Sequence, residues 1–212
     1  MPMRKAGIIR KTSETNVEIE LNLDGTGKFS GKVPLGFLKH MLEQLAKHGC
    51  MDLLVNASGD IEVDNHHLTE DIAIALGQAL EKALSGKEGI RRYGYALIPM
   101  DEALASAAVD ISGRPKLVFN TGNNAGNNTG ANLCAESETA GGMSIGMARH
   151  FFDSLALNAR MTVHIELAYG LDTHHKIEAM FKAFARALRM AAETDGKMKG
   201  KIPSTKGSIG RA

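Results

Sequence analysis

Apolar residues recur along the 212-residue chain in two periods, and the same order of periods runs twice. Residues 7–12 and 17–23 have the composition of strands. The second, VEIELNL, alternates apolar and polar positions and runs into the turn signal DGTG. KFSGK reads as a short strand returning from that turn. Over Gly36 to Lys47 the period changes: Phe37, Met41, Leu42 and Leu45 form the apolar stripe of a helix, closed by His48-Gly49. MDLLVNA predicts a strand, Ser58-Gly59-Asp60 a turn, IEVD a second short strand, and HHLTEDIAIALGQALEKAL a long helix ended by Ser85-Gly86.

The remainder repeats this order. RRYGYALIPM and EALASAAVDI read as extended, the second being Ala-rich text that also suits a helix. Arg114-Pro115 marks a turn before the strand KLVF, and NTGNNAGNNTGANL reads as a long irregular loop. SIGMARHFFDSLALN predicts a helix, MTVHIELAYG a strand, and THHKIEAMFKAFARALRMAAE the second long helix. The expected architecture is α+β, with two similar halves, each a small mixed sheet with two helices packed on one face. The halves are drawn at residues 1–90 and 91–195, and a basic, Gly-rich, loop-like tail follows at 196–212.

Composition narrows the function classes. No apolar run approaches the length of a membrane span, and no signal peptide is read at the basic N-terminus. With 25 basic and 24 acidic residues and no long block of one sign, neither nucleic acid nor an anionic membrane is an expected partner. The chain has no Trp, and aromatics make up only 5%, which argues against a carbohydrate or base-stacking platform. Cys50 and Cys134 form no CxxC arrangement, which fits a reducing, cytoplasmic compartment and offers no thiolate metal site.

The chemistry concentrates in histidine. DNHHLTED, at 64–71, and THHKIEA, at 173–179, both read His-His-x-x-Glu at the start of a long helix. His40 precedes His66 by 26 residues and His150 precedes His174 by 24, so the same layout occurs in each half. Adjacent helical residues point about 100° apart, so the two rings of a doublet should serve different partners. His40, His66, His67, Glu70, His150, His174, His175 and Glu178 then divide into two sites of three His and one Glu, each drawing on both halves. This N/O donor set suits Mn²⁺, Fe²⁺ or Zn²⁺. His48 and His164 lack matched counterparts and read as structural.

The segments RKTSETNVEIELNLDGTG, GFLKHMLEQLAKHG, GDIEVDNHHLTEDIAIALGQAL, DISGRPKL, HFFDSLALNARMTVHI, THHKIEAMFKAFARAL and IPSTKG resemble the imidazoleglycerol-phosphate dehydratase family, over nearly the whole chain and in the family's order. The resemblance implies two halves of the ribosomal-protein-S5-domain-2-like type, a homo-oligomer of 24 subunits built from trimers, and two Mn²⁺ ions per active site at subunit contacts. It implies a hydro-lyase of histidine biosynthesis that dehydrates D-erythro-imidazoleglycerol phosphate to imidazole acetol phosphate without a redox cofactor. The eight His and Glu residues fall on the family's ligand positions. Glu14 matches its acid/base glutamate. Arg92, Arg114, Ser204 and Lys206 match its phosphate contacts, with Lys182 close by and Gln44 contacting substrate.

The chain departs from the family pattern in places. Lys39 stands before His40 where the family usually has Asp, Ala148-Arg149 replaces an acidic approach to His150, and the segment 120–148 is long and rich in Gly and Asn. Two rival readings accompany the dehydratase: a paralogue acting on another imidazole or phosphate compound, and a non-catalytic, metal-stabilised assembly protein.

Overall fold

The computed structural model describes residues 4–122 and 135–210. Its first sheet comprises β1 (Lys5–Lys11), β2 (Thr15–Asn22), β3 (Phe29–Lys32) and β4 (Asp52–Gly59) in the order β1-β2-β4-β3. The second comprises β5 (Tyr93–Met100), β6 (Ala103–Asp110), β7 (Lys116–Asn120) and β10 (Thr162–Tyr169) in the order β5-β6-β10-β7. In each, three strands pair antiparallel and the fourth joins in parallel, so the two halves share one mixed topology. Helices α1 (Gly36–Gly49) and α2 (His66–Ala83) flank β4; α3 (Ile145–Ala159) and α4 (Thr173–Ala192) flank β10.

Alternation builds the inner sheet faces. Val17, Ile19 and Leu21 of β2 and Val163, Ile165 and Leu167 of β10 are buried, while their neighbours point outward. The helices form a double layer between the sheets. α2 lies on β1 and β2, and α4 lies on β5 and β6, while α1 packs on α4 and α3 packs on α2. Each helix pair therefore joins one helix from each half, around a single core that includes Phe151, Phe152, Phe181 and Phe184. Two glycines permit close approach. A Cβ at Gly77 would meet the Leu155 carbonyl oxygen at 2.7 Å, and one at Gly94 would meet that of Ala187 at 2.0 Å. These set the α2–α3 and α4–β5 separations.

Two expectations need correcting. IEVD, residues 61–64, is a turn and not a strand: the Val63 amide donates to the Asp60 carbonyl at 2.9 Å, and Val63 is exposed. Four alternating residues cannot hold a strand without a neighbouring edge to pair with. Residues 91–92 precede β5, and Arg92 has φ of +70°. The Ala-rich segment is indeed a strand, because Ala103, Ala105 and Ala107 lie buried on the face that α4 covers.

Most of the Gly/Asn-rich stretch lies outside the described residues, as does Cys134. Past it, β8 (Thr139–Ala140) and β9 (Met143–Ser144) form a small hairpin leading into α3. The tail contains one 3-10 turn, Gly196–Met198, and is anchored where the Gly89 amide donates to the Lys201 carbonyl at 2.9 Å. Among the described residues, no helix is long and apolar enough to cross a membrane.

Candidate metal centre

The cross-half helix pairs bring the sequence-distant histidines together. On the α1–α4 seam, His40, His174 and Glu178 present ligand atoms within 4.8 Å of one another. On the α2–α3 seam, His66, Glu70 and His150 do the same. Each group takes two residues at i,i+4 spacing from a long helix and one His from the short helix packed against it, as the 3.6-residue period requires. Each therefore draws on both halves.

The α1–α4 group is the more pre-formed. Glu178 Oε2 lies 3.2 Å from His40 Nε2 and 2.9 Å from His174 Nε2, and Lys182 Nζ donates to Glu178 Oε1 at 2.6 Å. Burial pushes the Glu178 carboxyl up, but the Lys182 ammonium and the two rings outweigh it and hold the group at about 2. Phe37 sets its edge against His174, with ring centroids 5.0 Å apart.

The α2–α3 group is looser. His66 and His150 lie with centroids 4.5 Å apart, and His150 Nε2 is 3.6 Å from Glu70 Oε1. That His150 nitrogen is shielded from solvent and has no hydrogen-bond partner. A polar atom left so costs about 1–3 kcal/mol, and a cation held between His66, Glu70 and His150 would satisfy it. The three atoms fit a borderline divalent ion with positions left for further ligands. By donor chemistry the paired His/Glu groups suit a divalent metal ion.

The second His of each doublet turns away. The His66 and His67 rings stand at 83° to each other, and the His174 and His175 rings at 79°. His67 Nδ1 lies 3.0 Å from Asp60 Oδ2 and 3.7 Å from Glu14 Oε2, and the three form a third cluster of potential ligands. His175 Nδ1 lies 2.7 Å from Glu102 Oε2. The facing carboxylates raise the pKa of both rings above the ordinary histidine value. One chain therefore supplies two His and one Glu to each group, and His67 and His175 join neither.

Glu14 occupies the tip of the β1–β2 hairpin, held by its backbone alone. Its amide donates to Thr12 Oγ1 at 3.1 Å, and its carbonyl accepts from the Asp60 amide at 3.2 Å. Arg10 Nε and Thr15 Oγ1 both donate to buried Asp71 on α2, which pins this hairpin to the helix that carries His66 and His67. The Glu14 side chain is 52% exposed.

The anion-binding candidates gather elsewhere. Arg92 grips Asp110 through Nε at 2.7 Å and Nη2 at 3.3 Å, and Nη1 donates to the Pro203 carbonyl at 2.8 Å. Arg114 Nη2 lies 3.9 Å from the same Asp110, with its side chain exposed. Ser204 follows Pro203, and the Lys206 amide donates to Ser204 Oγ at 3.2 Å. The Arg92 amide donates to Ala191 near the end of α4, and Glu178 stands near that helix's start. At 1.5 Å per residue these two points are roughly 20 Å apart. Gln44 and Lys182 instead lie on α1 and α4 beside the His40 group. Gln44 Oε1 is 3.1 Å from His48 Nε2, and burial and the Lys182 and Arg186 charges push the His48 pKa down.

Sequence reasoning missed Asp60, Glu102 and Phe37 around these groups. Alignment of the two halves could have found Glu102, since it sits at the β5–β6 hairpin position matching Glu14.

Comparison with known proteins identifies the family. The family model described as imidazoleglycerol-phosphate dehydratase matches residues 33–188. Proteins of that name from Pseudomonas fluorescens and Paracoccus denitrificans are 45% and 46% identical to the chain, covering 99% and 98% of it and the whole of each relative. The crystal structure of imidazoleglycerol-phosphate dehydratase from Staphylococcus aureus superposes with a TM-score of 0.75 at 38% identity, covering 90% of this chain and 99% of that one. The Pyrococcus furiosus structure gives 0.76 at 33% identity, covering 95% and 100%. With its duplicated sheet-and-helix halves and its paired His/Glu groups, the chain belongs to the imidazoleglycerol-phosphate dehydratase family.

Proposed function

We propose that the protein is a hydro-lyase that dehydrates D-erythro-imidazoleglycerol phosphate to imidazole acetol phosphate in histidine biosynthesis, with two Mn²⁺ ions per active site. The observation that carries this reading is the matched pair of His/Glu groups on the two cross-half seams, in a chain of this family. His40, His174 and Glu178 would hold one ion, and His66, Glu70 and His150 the other. His67 and His175, facing outward, would complete groups on neighbouring copies. When bound, the ions supply Lewis acidity to orient the substrate and stabilise developing charge.

The chain's own residues would do the rest. Glu14, exposed and free of any fixed side-chain hydrogen bond, would take the proton from the substrate carbon and assist loss of the neighbouring hydroxyl. Arg92, Arg114, Ser204 and Lys206 would bind the phosphate by charge and hydrogen bonding, with Lys182 and Gln44 lining the ring end. The roughly 20 Å between the His40 group and Arg92 is more than a ring, three carbons and a phosphate can span. A site using both needs more than one copy of the chain, which supports a homo-oligomer; a 24-mer built from trimers is the form we propose. Tyr93, Tyr95, Leu97 and Val118 form an exposed apolar strip on the outer face of the second sheet, suited to such a contact. Unpaired Cys50 accords with a cytoplasmic setting.

The test is turnover of imidazoleglycerol phosphate by purified protein with and without Mn²⁺, alongside metal analysis and mass in solution. Metal-dependent dehydration by an oligomer is expected. Metal-loaded protein that leaves the substrate untouched would sink the reading. Replacing His66 or His174 by Ala should lose bound metal and weaken assembly; full occupancy in both variants would count against shared ligation.

A further inference from the structure

The two outward-facing histidines are not held alike, and the difference follows from the duplication. Ser13-Glu14 and Asp101-Glu102 are the central pairs of matching two-residue hairpins: the Thr12 amide donates to the Thr15 carbonyl across the first, and Met100 pairs with Ala103 across the second. Glu14 and Glu102 are therefore equivalent positions. Thr15 pairs with Gly59 at the end of β4, and Leu104 with Tyr169 at the end of β10. A bulge between Leu167 and Tyr169 shifts the second register by one residue, so Gly170, beside Ala103 and Lys176, matches Gly59, beside Thr15 and Leu68, and Leu171 matches Asp60.

In the first half, Asp60 contacts His67 Nδ1 at 3.0 Å, while Glu14 stays 3.7 Å away. In the second half that place belongs to Leu171, an exposed side chain with no acceptor to offer the ring. Gly170, just before it, leaves no room for a side chain either: a Cβ would stand 2.9 Å from Ala103 Cβ and 2.9 Å from Lys176 Cγ. Glu102 reaches across instead. Its Oε2 contacts His175 Nδ1 at 2.7 Å, and its Oε1 accepts from the Leu171 and Asp172 amides at 3.1 and 2.8 Å. The carboxylate thus links the hairpin tip, the start of α4 and the ring.

We propose that Asp60 and Glu102 are positioning residues for His67 and His175: each carboxylate, able only to accept, keeps the ring proton on Nδ1 and presents an unprotonated Nε2 to a divalent cation. A ring so held loses neither rotational freedom nor the correct tautomer when it meets the ion, and its donor nitrogen is made more basic. In the first half this work is done by Asp60, which leaves the equivalent glutamate, Glu14, free for proton transfer. The inference rests on the metal reading above.

The test measures Mn²⁺ binding to the full-length protein and to Glu102→Gln and Asp60→Asn, together with the ¹⁵N histidine signals of the metal-free forms. Gln at 102 has one carbonyl oxygen where Glu102 uses two acceptors. Either the α4 amides lose their partner, or the Gln amide donates to Nδ1 and moves the ring proton to Nε2. Mn²⁺ affinity should fall about 10- to 100-fold in either variant, and Glu102→Asp should recover part of the loss. The wild-type spectrum should show His67 and His175 protonated on Nδ1. Wild-type rings protonated on Nε2, or variants that bind Mn²⁺ as tightly as wild type, overturn the proposal; the wild-type spectrum decides it even where a variant fails to fold. Wild-type protein that binds no Mn²⁺ overturns the metal reading itself, and the proposal with it.

Discussion

Glu14 and Glu102 stand at the same position in two copies of one hairpin, yet only Glu102 is tied down. Hydrogen bonds from the Asp172 amide, the His175 ring and the Leu171 amide hold the Glu102 carboxyl at about 2, whereas the Glu14 side chain is half exposed. The two halves are equal in length from His40 to the end of β4 and from His150 to the end of β10, although β10 carries a bulge between Leu167 and Tyr169. The difference of two residues lies in the connection that leads to the first His of each doublet, 60–65 against 170–173. The longer connection carries Asp60, and Asp60 takes over the ring that Glu14 would otherwise hold. A duplicated frame can thus give its copies separate chemical tasks through one acceptor side chain, Asp60, where the other copy has Leu171.

The largest expected effect breaks this pair apart by kinetics. Glu14→Gln should lower turnover at saturating Mn²⁺ by about 10²- to 10⁴-fold, the usual weight of a general acid/base, with bound metal unchanged. Glu102→Gln should instead recover most of its turnover as Mn²⁺ is raised. Equal losses in both variants at saturating metal would show that the two carboxylates do not differ in task.

The halves also differ in their cores. Phe151, Phe152, Phe181 and Phe184 all belong to α3 and α4, whereas the first half fills its interior with Leu38, Leu42, Leu45, Leu68 and Ile72. Phe152 is fully buried and meets Phe119, Phe151, Phe181 and Phe184. Phe152→Ala should cost about 3–5 kcal/mol and Leu42→Ala about 2–5, read by denaturant unfolding. A clearly larger loss at Leu42 would place the less tolerant packing in the aliphatic half.

Much of this frame is legible in sequence because period is a local property. The alternation of Val17, Ile19 and Leu21, the stripe of Met41, Leu42 and Leu45, and the two His doublets each specify an element without reference to distant residues. IEVD misled because its alternation is real, but Ile61 and Val63 find no strand to pair with and remain exposed. Ala103 to Ala107 was ambiguous because Ala suits both periods until α4 covers the strand. The doublets showed that adjacent rings diverge; they could not show where each points. Glu102 and His175 are 73 residues apart, and only the fold brings the hairpin tip to the ring. The Arg92–Asp110–Pro203 contacts likewise join residues that no spacing relates.

Acid sharpens the comparison of the two metal groups. Glu178 has a folded-state value of about 2 against an ordinary 4.5; Glu70 lacks a lysine partner of the Lys182 kind among its ion pairs. A carboxyl depressed on folding adds stability above its unfolded value, and that contribution is lost as pH falls from about 4.5 towards 2. The metal-free protein should therefore lose stability over that window, and Glu178→Gln should flatten the slope more than Glu70→Gln. Melting temperatures between pH 5 and pH 2, an order-of-magnitude window set by that shift, provide the measurement. Identical slopes in the two variants would remove the distinction.

The smallest expected effect concerns the basic residue before each short-helix histidine. Lys39 Nζ pairs with Glu43 Oε1 at 3.1 Å, and Glu43 Oε2 lies 3.9 Å from His40 Nδ1. Arg149 Nη1 pairs with Glu136 Oε1 at 2.7 Å, beside His150. Both basic side chains are substantially exposed, so each pair contributes about 0–1 kcal/mol and is screened by salt. Lys39→Ala and Arg149→Ala should each change unfolding free energy by less than about 1 kcal/mol. Their effects on metal binding should differ. Removing Lys39 releases Glu43, the carboxylate nearest His40 Nδ1, to orient that ring, and Mn²⁺ affinity should rise slightly. Removing Arg149 releases Glu136, for which no contact with His150 is observed, so affinity should change only through the lost charge and that change should vanish at high salt. A gain at Lys39 that persists in high salt, beside a salt-sensitive change at Arg149, would separate ring orientation from simple electrostatic repulsion at the two seams.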